Sequence, residues 1–288
     1  MALEQDERSG PRVGNRSSRI LGGSGGARSA AIAAVSTVVF FGVLVLVVVN
    51  APNWPEVKEQ FFNWGVFKNS FPDIAEAFRT NVRLFLIAEV FILVLALFLA
   101  VMRSLPGPVF FPLRVLSTAY TDVFRGIPTI LLVYLLGFGI PGLQLHGVPN
   151  SQFFWAAVAL VLVYSAYVAE VYRAGIESVH PSQEAAARSL GLSRPKTLRF
   201  VIIPQAVRRV IPPLLNDFIG LQKDSALVAL IGPIEAFRQS QIDVAATFNY
   251  TPYMVTALLF VLLTIPMARL TDWLIARDRR RQSAGGLR

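Results

Sequence analysis

The segment 30–49, AAIAAVSTVVFFGVLVLVVV, constrains the fold of this chain more than any other feature, because it holds no charged residue in twenty positions. An α-helix needs roughly 20 apolar residues to cross the hydrocarbon core of a bilayer. A cleaved signal peptide is the alternative, but its apolar run is usually about 7–15 residues long and ends in a small-residue cleavage site. The sequence VVVNAPNW at the end of this run lacks such a site. We therefore predict an uncleaved membrane-spanning helix at 30–49.

Five further apolar segments predict an all-α integral membrane protein with six transmembrane helices. Hydrophobic residues make up 54% of the chain and charged residues 16%, and the apolar residues fall in runs long enough to span lipid. The third span is expected within 113–145. We place it at 127–145, so that 118–125 forms an interfacial helix and Arg125 reaches the inner surface. The other four lie near 81–101, 153–171, 210–231 and 253–275.

The distribution of positive charge predicts that both termini are cytoplasmic. With the N-terminus inside, the inner segments carry 19 Lys and Arg residues and the outer segments carry 4, which is the asymmetry of the positive-inside rule. The inner segments are 1–29, 102–114, 173–209 and 276–288, and the outer segments are 50–80, 138–151 and 232–251. The net charge of +9 is therefore a topology signal, and we expect no nucleic-acid partner.

Outside the spans, composition predicts two basic tails and two long loops. The tail 1–29 contains the Gly- and Ser-rich run GGSGGARS and is expected to be disordered, and 276–288 is a second basic cytoplasmic tail. The segment 50–80 is expected to be an external loop with interfacial tryptophans. The segment 173–209 is the longest cytoplasmic loop.

The sequence QEAAARSLGLSRPKTLRFVIIPQA, at 183–206, predicts a helix, a break and a second helix within that cytoplasmic loop. Pro181 and Ser182 mark a helix start, and the following alanines favour helix. Gly191 suits the left-handed position after a helix end. Ser193 is expected to cap the second helix, and Pro204 is expected to close it. Two short helices hinged at a glycine form a compact docking surface.

No constellation for bond chemistry or for a metal is visible. There are two His residues, expected on opposite sides of the membrane, and no Cys. The chain contains neither H-E-x-x-H nor G-x-S-x-G, and its Gly-rich segment 22–26 lacks the Lys of a phosphate-binding loop. We therefore predict no enzyme activity and no bound cofactor or metal; if the protein uses ATP, another chain must hold it.

Several motifs resemble those of ABC importer permeases for polar amino acids. The signature of that family is E-A-A with a Gly six residues after the Glu, then I-x-L-P ending thirteen residues after the Gly. Here Gly191 is followed by VIIP, which ends at Pro204. The resemblance covers about two-thirds of the chain, roughly 81–275. It extends to VFRGIPTILLVYLLGFGIPG, AYVAEVYRAGIESV and VIIPQAVRRVIPPLLNDFIGLQKDSALVALIG.

The resemblance implies a five-helix type I ABC importer permease core, preceded here by one extra N-terminal helix. It also implies a complex in which 173–209 docks on P-loop ATPase subunits that bind ATP and Mg. A second permease subunit, expected to be a paralogue rather than an identical copy, completes the pore. An extracytoplasmic solute-binding protein delivers a polar amino acid. Glutamate is the expected substrate, because the loop resembles glutamate-type permeases of high-GC Gram-positive bacteria; glutamine, histidine and a basic amino acid are the alternatives.

The loop departs from the family pattern at one position. Counting back six residues from Gly191, the motif Glu falls at Ala185, and the carboxylate Glu184 lies one residue earlier. On a helix this is a rotation of about 100°, so Glu184 points to another face. The family's coupling role carries over to Ala186, Ala187, Gly191 and Pro204. Either Glu184 has a different partner or no coupling carboxylate is needed.

Ionisable residues within spans predict the substrate pathway, since they are rare in lipid. Lys223 and Asp224 are expected to break the fifth helix and, with Ser225, to match the two charges of an amino acid. A self-paired structural role for Lys223 and Asp224 is the alternative. The remaining candidates, each with an open structural alternative, are Glu89, Glu170, Asn216 and Asp217.

Two other functions are compatible with these residues. An ion-coupled secondary transporter would use carboxylates such as Glu89, Glu170 and Asp224, and would not need the loop motif. A membrane assembly protein would not need a polar pore.

Overall fold

The structure is a computed structural model that describes residues 26–285, with side chains described for residues 28–277. Its regular structure over those residues is entirely helical. The helices in chain order are α1 Gly26–Val49, α2 Trp54–Phe61, α3 Trp64–Ser104, α4 Phe111–Gly126, α5 Thr129–Gly142, α6 Gln152–Glu177, α7 Pro181–Ser189, α8 Arg194–Thr197, α9 Ile203–Asp224, α10 Ala236–Thr247 and α11 Thr251–Gly285. A π-helical turn, Leu198–Ile202, precedes α9, and 3₁₀ turns occupy Pro108–Phe110 and Ser225–Ile231.

The chain divides into two compact units, 1–59 and 60–288. In the first unit, α1 is apolar around its whole circumference and its side chains are exposed along its length. Its few polar groups are satisfied locally, because the hydroxyls of Ser36 and Thr37 both donate hydrogen bonds to the Ala33 carbonyl. Such a helix is suited to lipid on all sides. It begins at Gly26, so it includes the last residues of the predicted tail; residues 1–25 lie outside the described part of the chain.

Among the described residues, four helices are long and apolar enough to cross a membrane: α1, α3, α6 and α11. The segment predicted as an external loop, 50–80, is helical over most of its length, because α3 begins at Trp64. The segment predicted as a C-terminal tail continues α11 as far as Gly285.

The third predicted span differs from the structure. The interfacial helix expected at 118–125 is part of α4, and α5 has only 14 residues where roughly 20 are needed to cross a bilayer. The two helices meet at a bend of 99° and together form a broken span or a re-entrant segment. Pro128 explains the break, because a proline forces the residue before it, Ile127, out of the helical region, and Ile127 is extended.

The fifth predicted span is also interrupted. Pro212 and Pro213 lie inside α9, and the α-helical conformation ends at Asp224, where a 3₁₀ turn begins. The prediction that Lys223 and Asp224 lie at a helix break is therefore confirmed. The total of six crossings stays a prediction.

The main core of the second unit lies where α3, α5, α6 and α9 meet. Five of its seventeen buried residues are alanines, and small residues let membrane helices approach closely. Small core residues include Ala88 and Ala96 of α3, with Ala156, Ala159 and Ala169 of α6.

A buried polar node fixes the start of α10. The Asn81 amide donates hydrogen bonds to Ser225 Oγ at 3.1 Å and to Glu235 Oε2 at 2.8 Å, and its oxygen accepts one from the Ala236 backbone N–H. The Glu235 carboxylate also caps α10 by accepting from the N–H groups of Phe237 and Arg238. Burial raises the pKa of Glu235, and these hydrogen bonds oppose that shift.

Replacing Gly175 with alanine is expected to destabilise the protein by about 1–3 kcal/mol, the usual cost of overpacking. A Cβ atom at Gly175 would lie 2.0 Å from Val210 Cγ2, because α6 and α9 touch there. The measurement is the thermal unfolding midpoint in detergent. The second substitution Val210→Ala should restore part of the loss. Gly139→Ala is the matched control, since nothing lies within 4 Å of a Cβ atom there. A Gly175→Ala midpoint equal to that of the control would contradict the close contact.

Candidate functional sites: an exposed loop and a polar cavity

The loop segment, defined here as residues 178–204, has the predicted order of helix, break and helix. His180 caps α7, its ring Nδ1 accepting a hydrogen bond from the Ser182 N–H at 3.2 Å. After α7 ends at Ser189, Gly191 adopts a left-handed backbone with φ of 82°. Its N–H donates to the Arg188 carbonyl at 2.9 Å, and the Leu192 N–H donates to the Ala187 carbonyl. The predicted left-handed break at Gly191, between two helices, is therefore confirmed.

Pro204 does not end the second helix, which corrects the sequence prediction. Helical structure runs from Arg194 through the π turn into α9, and Pro204 lies in the first turn of α9. A proline is tolerated there because its missing N–H falls where the hydrogen-bonding register changes from π to α.

The predicted loop residues divide between a buried and an exposed face. Ala187 is buried, and Val179, Ile202 and Ala206 form a small core of their own nearby. Ala185, Ala186, Gly191 and Pro204 are exposed, whereas Glu184 is half-buried. Glu184 and Ala185 therefore differ in exposure, as their one-residue offset predicts.

Leu190 is an exposed residue of the loop that the sequence did not single out. Its side chain is 84% exposed beside the left-handed Gly191. An apolar side chain just before a hinge glycine is the signal that would have identified it. Phe200 of the π turn is also exposed, so the segment presents apolar surface on both sides of its hinge.

A cavity of about 230 Å³ lies between α5, α6 and α9. Its lining contains an amide, two carboxylates and three hydroxyls. The lining residues are Thr129, Tyr164, Tyr167, Asn216, Asp217, Gly220 and Asp224. Three predicted pathway residues, Asn216, Asp217 and Asp224, are thus brought together. Residues 217, 220 and 224 are three and four apart, so they share one face of α9.

The two aspartates of the cavity have different environments. Asp224 Oδ2 accepts a hydrogen bond from the Tyr164 hydroxyl at 2.9 Å. Asp217 Oδ2 is buried and accepts no hydrogen bond from any described residue. Glu89 of α3 is half-buried and lies close enough to interact electrostatically with Asp217. The cavity therefore has free capacity to accept hydrogen bonds from a cationic or amine donor.

Gly220 leaves room for the Tyr164 side chain because it has no side chain of its own. A Cβ atom at Gly220 would lie 3.2 Å from the Tyr164 hydroxyl oxygen, so a side chain there would press on the group that orients Asp224. The sequence did not single out Thr129, Tyr164 or Tyr167. Aromatic and hydroxyl residues inside apolar spans give no polar pattern that marks them.

Two predicted pathway residues lie away from the cavity lining. Lys223 is exposed, and within the described residues no ion pair joins it to Asp224, although its charge still interacts electrostatically with the Asp224 carboxylate. Ser225 is fully buried in the Asn81 node and donates to the Gln222 carbonyl at 2.7 Å. The expected trio of Lys223, Asp224 and Ser225 is therefore separated by the structure.

Glu170 also lies outside the cavity and forms ion pairs. Its Oε2 atom accepts hydrogen bonds from Arg173 Nη2 at 2.7 Å and from Arg173 Nε at 3.0 Å. Arg103 Nη1 pairs with Oε1, and Arg125 Nη1 lies 4.0 Å from Oε2. Glu170 therefore pairs with Arg173 and has the structural role that the sequence left open as the alternative to a place in the pathway.

The part of the chain that the structure describes contains no group of three His, Asp or Glu side chains placed to hold a metal ion.

The sequence is similar to a family of transport proteins over most of its apolar part. Residues 108–280 match the family described as binding-protein-dependent transport system inner membrane component. The chain is 38% identical over 178 residues to the probable glutamine ABC transporter permease protein GlnM of Bacillus subtilis (strain 168), covering 61% of this chain and 79% of the relative.

Two further relatives carry other substrate names. The arginine transport system permease protein ArtQ of Bacillus subtilis (strain 168) is 33% identical, with 67% of this chain and 87% of the relative covered. The glutamate transport system permease protein GluC of Corynebacterium glutamicum is 35% identical, with 68% and 90% covered.

Solved structures show the same fold. A crystal structure of an amino acid ABC transporter with histidines superposes with a TM-score of 0.65 at 32% identity, covering 72% of this chain and 94% of that one. An inward-facing MetNI methionine ABC transporter superposes with a TM-score of 0.57 at 17% identity, covering 71% and 95%.

Proposed function

The chain belongs to the family of binding-protein-dependent transport system inner membrane components, and from this premise we propose that its loop segment couples a separate ATPase to amino acid movement through the polar cavity. The protein is a multi-pass membrane permease subunit of an ABC importer for amino acids. It is not an enzyme; the ATPase activity resides in another subunit.

The observation that carries the coupling proposal is the exposed hinge of the loop segment. Leu190 is 84% exposed beside Gly191, whose left-handed backbone turns the chain between two helices. An exposed apolar side chain on a tight turn has the character of an interface anchor that fills a pocket on a partner. The helices on either side lead directly into α6 and α9, the two helices that supply most of the cavity lining. Movement of the loop segment would therefore be transmitted to both walls of the cavity.

The charge of the cavity supports a substrate with an exposed ammonium or guanidinium group. Asp217 and Asp224 line it, the Lys223 charge acts on Asp224 only from outside the lining, and Asp217 Oδ2 accepts no hydrogen bond from any described residue. Charge-assisted hydrogen bonds from a cationic donor to a carboxylate are strong, whereas like charges repel. Glutamate remains the sequence prediction, and one relative is named for it. On the strength of the cavity charge, we propose that cationic amino acids, and then neutral amino acids such as glutamine, are preferred over glutamate.

The remaining partners are proposed from the family. ATP and Mg would be bound by P-loop ATPase subunits, and this chain would bind neither. A second permease subunit, a paralogue rather than a copy, would complete the pore, and an extracytoplasmic solute-binding protein would deliver the amino acid. Both termini would lie in the cytoplasm, as the positive-inside count predicts.

The test is uptake of labelled amino acids by proteoliposomes that contain the complex purified from native membranes, with ATP enclosed and the solute-binding protein of the same complex present outside. We expect ATP-dependent uptake with arginine or histidine preferred over glutamine, and glutamine over glutamate. A preference for glutamate would contradict the argument from the cavity charge, but it would not contradict the assignment of the protein to an ATP-driven importer. Uptake that ignores ATP and collapses with an ion gradient would instead support a secondary transporter.

A further inference from the structure

One carboxylate at the loop-side end of the bundle joins three helices. Glu170 of α6 contacts Arg103 in the last turn of α3, Arg173 one turn further along α6, and Arg125 in the last turn of α4. We call these four residues the Glu170 cluster. The Glu170 side chain is only 17% exposed, so its charge depends on the three guanidinium groups around it.

The Glu170 cluster touches the cavity through Arg125. The Arg125 guanidinium lies 5.6 Å from the centre of the Tyr167 ring, in cation–π contact, and Tyr167 lines the cavity. Arg125 also precedes the 99° bend between α4 and α5, and Thr129, just beyond the bend, lines the cavity as well. Arg125 is therefore linked to two cavity walls.

The position along α6 puts the Glu170 cluster between the cavity and the loop segment. Glu170 lies six residues beyond Tyr164, which is about 9 Å at the helical rise per residue. α6 ends at Glu177, and the loop segment begins at the next residue. There, Arg209 of α9 donates a hydrogen bond to the Ser178 carbonyl.

We propose that the Glu170 cluster is a latch that closes the loop-side exit of the cavity, with Glu170 as the positioning residue that holds Arg125 over Tyr167. Arg125 is the weakest member of the cluster, since its nitrogen is 4.0 Å from Glu170 and its side chain is 43% exposed. Without the Glu170 charge, three guanidinium groups would repel one another, and Arg125 would be the first to leave. The latch rests on the proposed function, because it assumes that the cavity is the transport path.

Glu177 supplies a matched control. Glu177 also pairs with Arg173 from the same helix, but it has no ion pair with Arg103 or Arg125. The chain has no native Cys, so labelling that is measured on this chain, separated from the other subunits, reports the introduced thiol alone. A Thr129→Cys reporter places that thiol in the cavity wall.

The experiment measures how fast a membrane-impermeant maleimide, added from the loop side, labels Thr129→Cys in the proteoliposome-reconstituted complex. Labelling is compared without nucleotide and with a non-hydrolysable ATP analogue. In whichever state labels more slowly, Glu170→Gln should raise the rate about tenfold, the scale of losing a charge-assisted hydrogen bond. Glu177→Gln should leave the rate within about twofold, as for an exposed pair. Arg125→Gln leaves the Glu170 pairs with Arg103 and Arg173 intact and should also raise the labelling rate. This variant replaces Glu170→Gln as the test if the Glu170→Gln complex does not assemble.

Equal labelling rates in wild type and Arg125→Gln, or an equal rise in Glu177→Gln, would overturn the latch. ATP-driven uptake by the complex without the reporter is measured in parallel. Its absence would contradict the proposed function, whereas normal uptake with unchanged labelling would contradict the latch alone.

Discussion

Replacing Gly191 with valine is expected to reduce ATP-driven uptake at least tenfold while the protein still reaches the membrane. The backbone at Gly191 has φ of 82°, and an L-residue pays about 1–2 kcal/mol to adopt the left-handed region, with β-branched residues penalised most. Nothing lies within 4 Å of a Cβ atom at this position, so the cost comes from the backbone alone. The valine variant should avoid this conformational cost by leaving the left-handed backbone conformation, and that change would move Leu190 from its position. The measurement is uptake normalised to the amount of protein in the membrane.

Gly191→Asn is the matched control for this prediction. Asparagine adds a larger polar side chain but occupies left-handed positions readily, including those after helix ends. It should keep most of the uptake. If valine and asparagine were equally harmful, the side chain itself would obstruct a partner, and the conformational explanation would be wrong. Normal uptake by Gly191→Val would mean that the left-handed conformation at Gly191 is not needed for coupling.

Neutralising either cavity aspartate is expected to lower uptake at limiting substrate by about 10–100-fold, the scale of one lost charge-assisted hydrogen bond of ~1.5–3 kcal/mol. Asp217→Asn removes the carboxylate whose Oδ2 is unpaired, and Asp224→Asn removes the one oriented by Tyr164. The asparagines keep the size of the side chains, so the fold should survive. The measurement is the concentration dependence of uptake for a cationic amino acid.

Two controls separate this result from a general loss of negative charge. Asp243→Asn changes the same chemical group in α10, outside the cavity lining, and should leave uptake unchanged. Tyr164→Phe keeps the ring but removes the hydroxyl that holds Asp224, so it should reduce uptake in the same direction as Asp224→Asn. Wild-type kinetics in both Asp217→Asn and Asp224→Asn would mean that the cavity does not bind substrate.

The loop segment was largely predictable because its signals are local. A proline at a helix start, a run of alanines and a glycine after the helix each specify backbone conformation within a few residues. Pro204 was misread for the same reason. Its usual effect is to end a helix, but the π turn before it shifts the hydrogen-bonding register so that the helix continues.

The composition of the cavity was only partly predictable because it depends on which faces of α5, α6 and α9 meet. Lys223 and Asp224 are adjacent in sequence, yet one position on a helix is about 100° of rotation, enough to separate the exposed Lys223 from the cavity-lining Asp224. The opposite wall, Tyr164 and Tyr167, comes from another helix. The 99° bend that brings Thr129 to the cavity is likewise a tertiary feature.

The central claim is that the loop segment couples this chain to ATP hydrolysis in another subunit. The most direct measurement is purification of the chain from its native membranes in mild detergent, with mass spectrometry of the proteins that accompany it. The account predicts that a P-loop ATPase accompanies the wild-type chain and is lost from Gly191→Val but kept by Gly191→Asn. A chain that comes out without any ATPase, even after cross-linking, would contradict it.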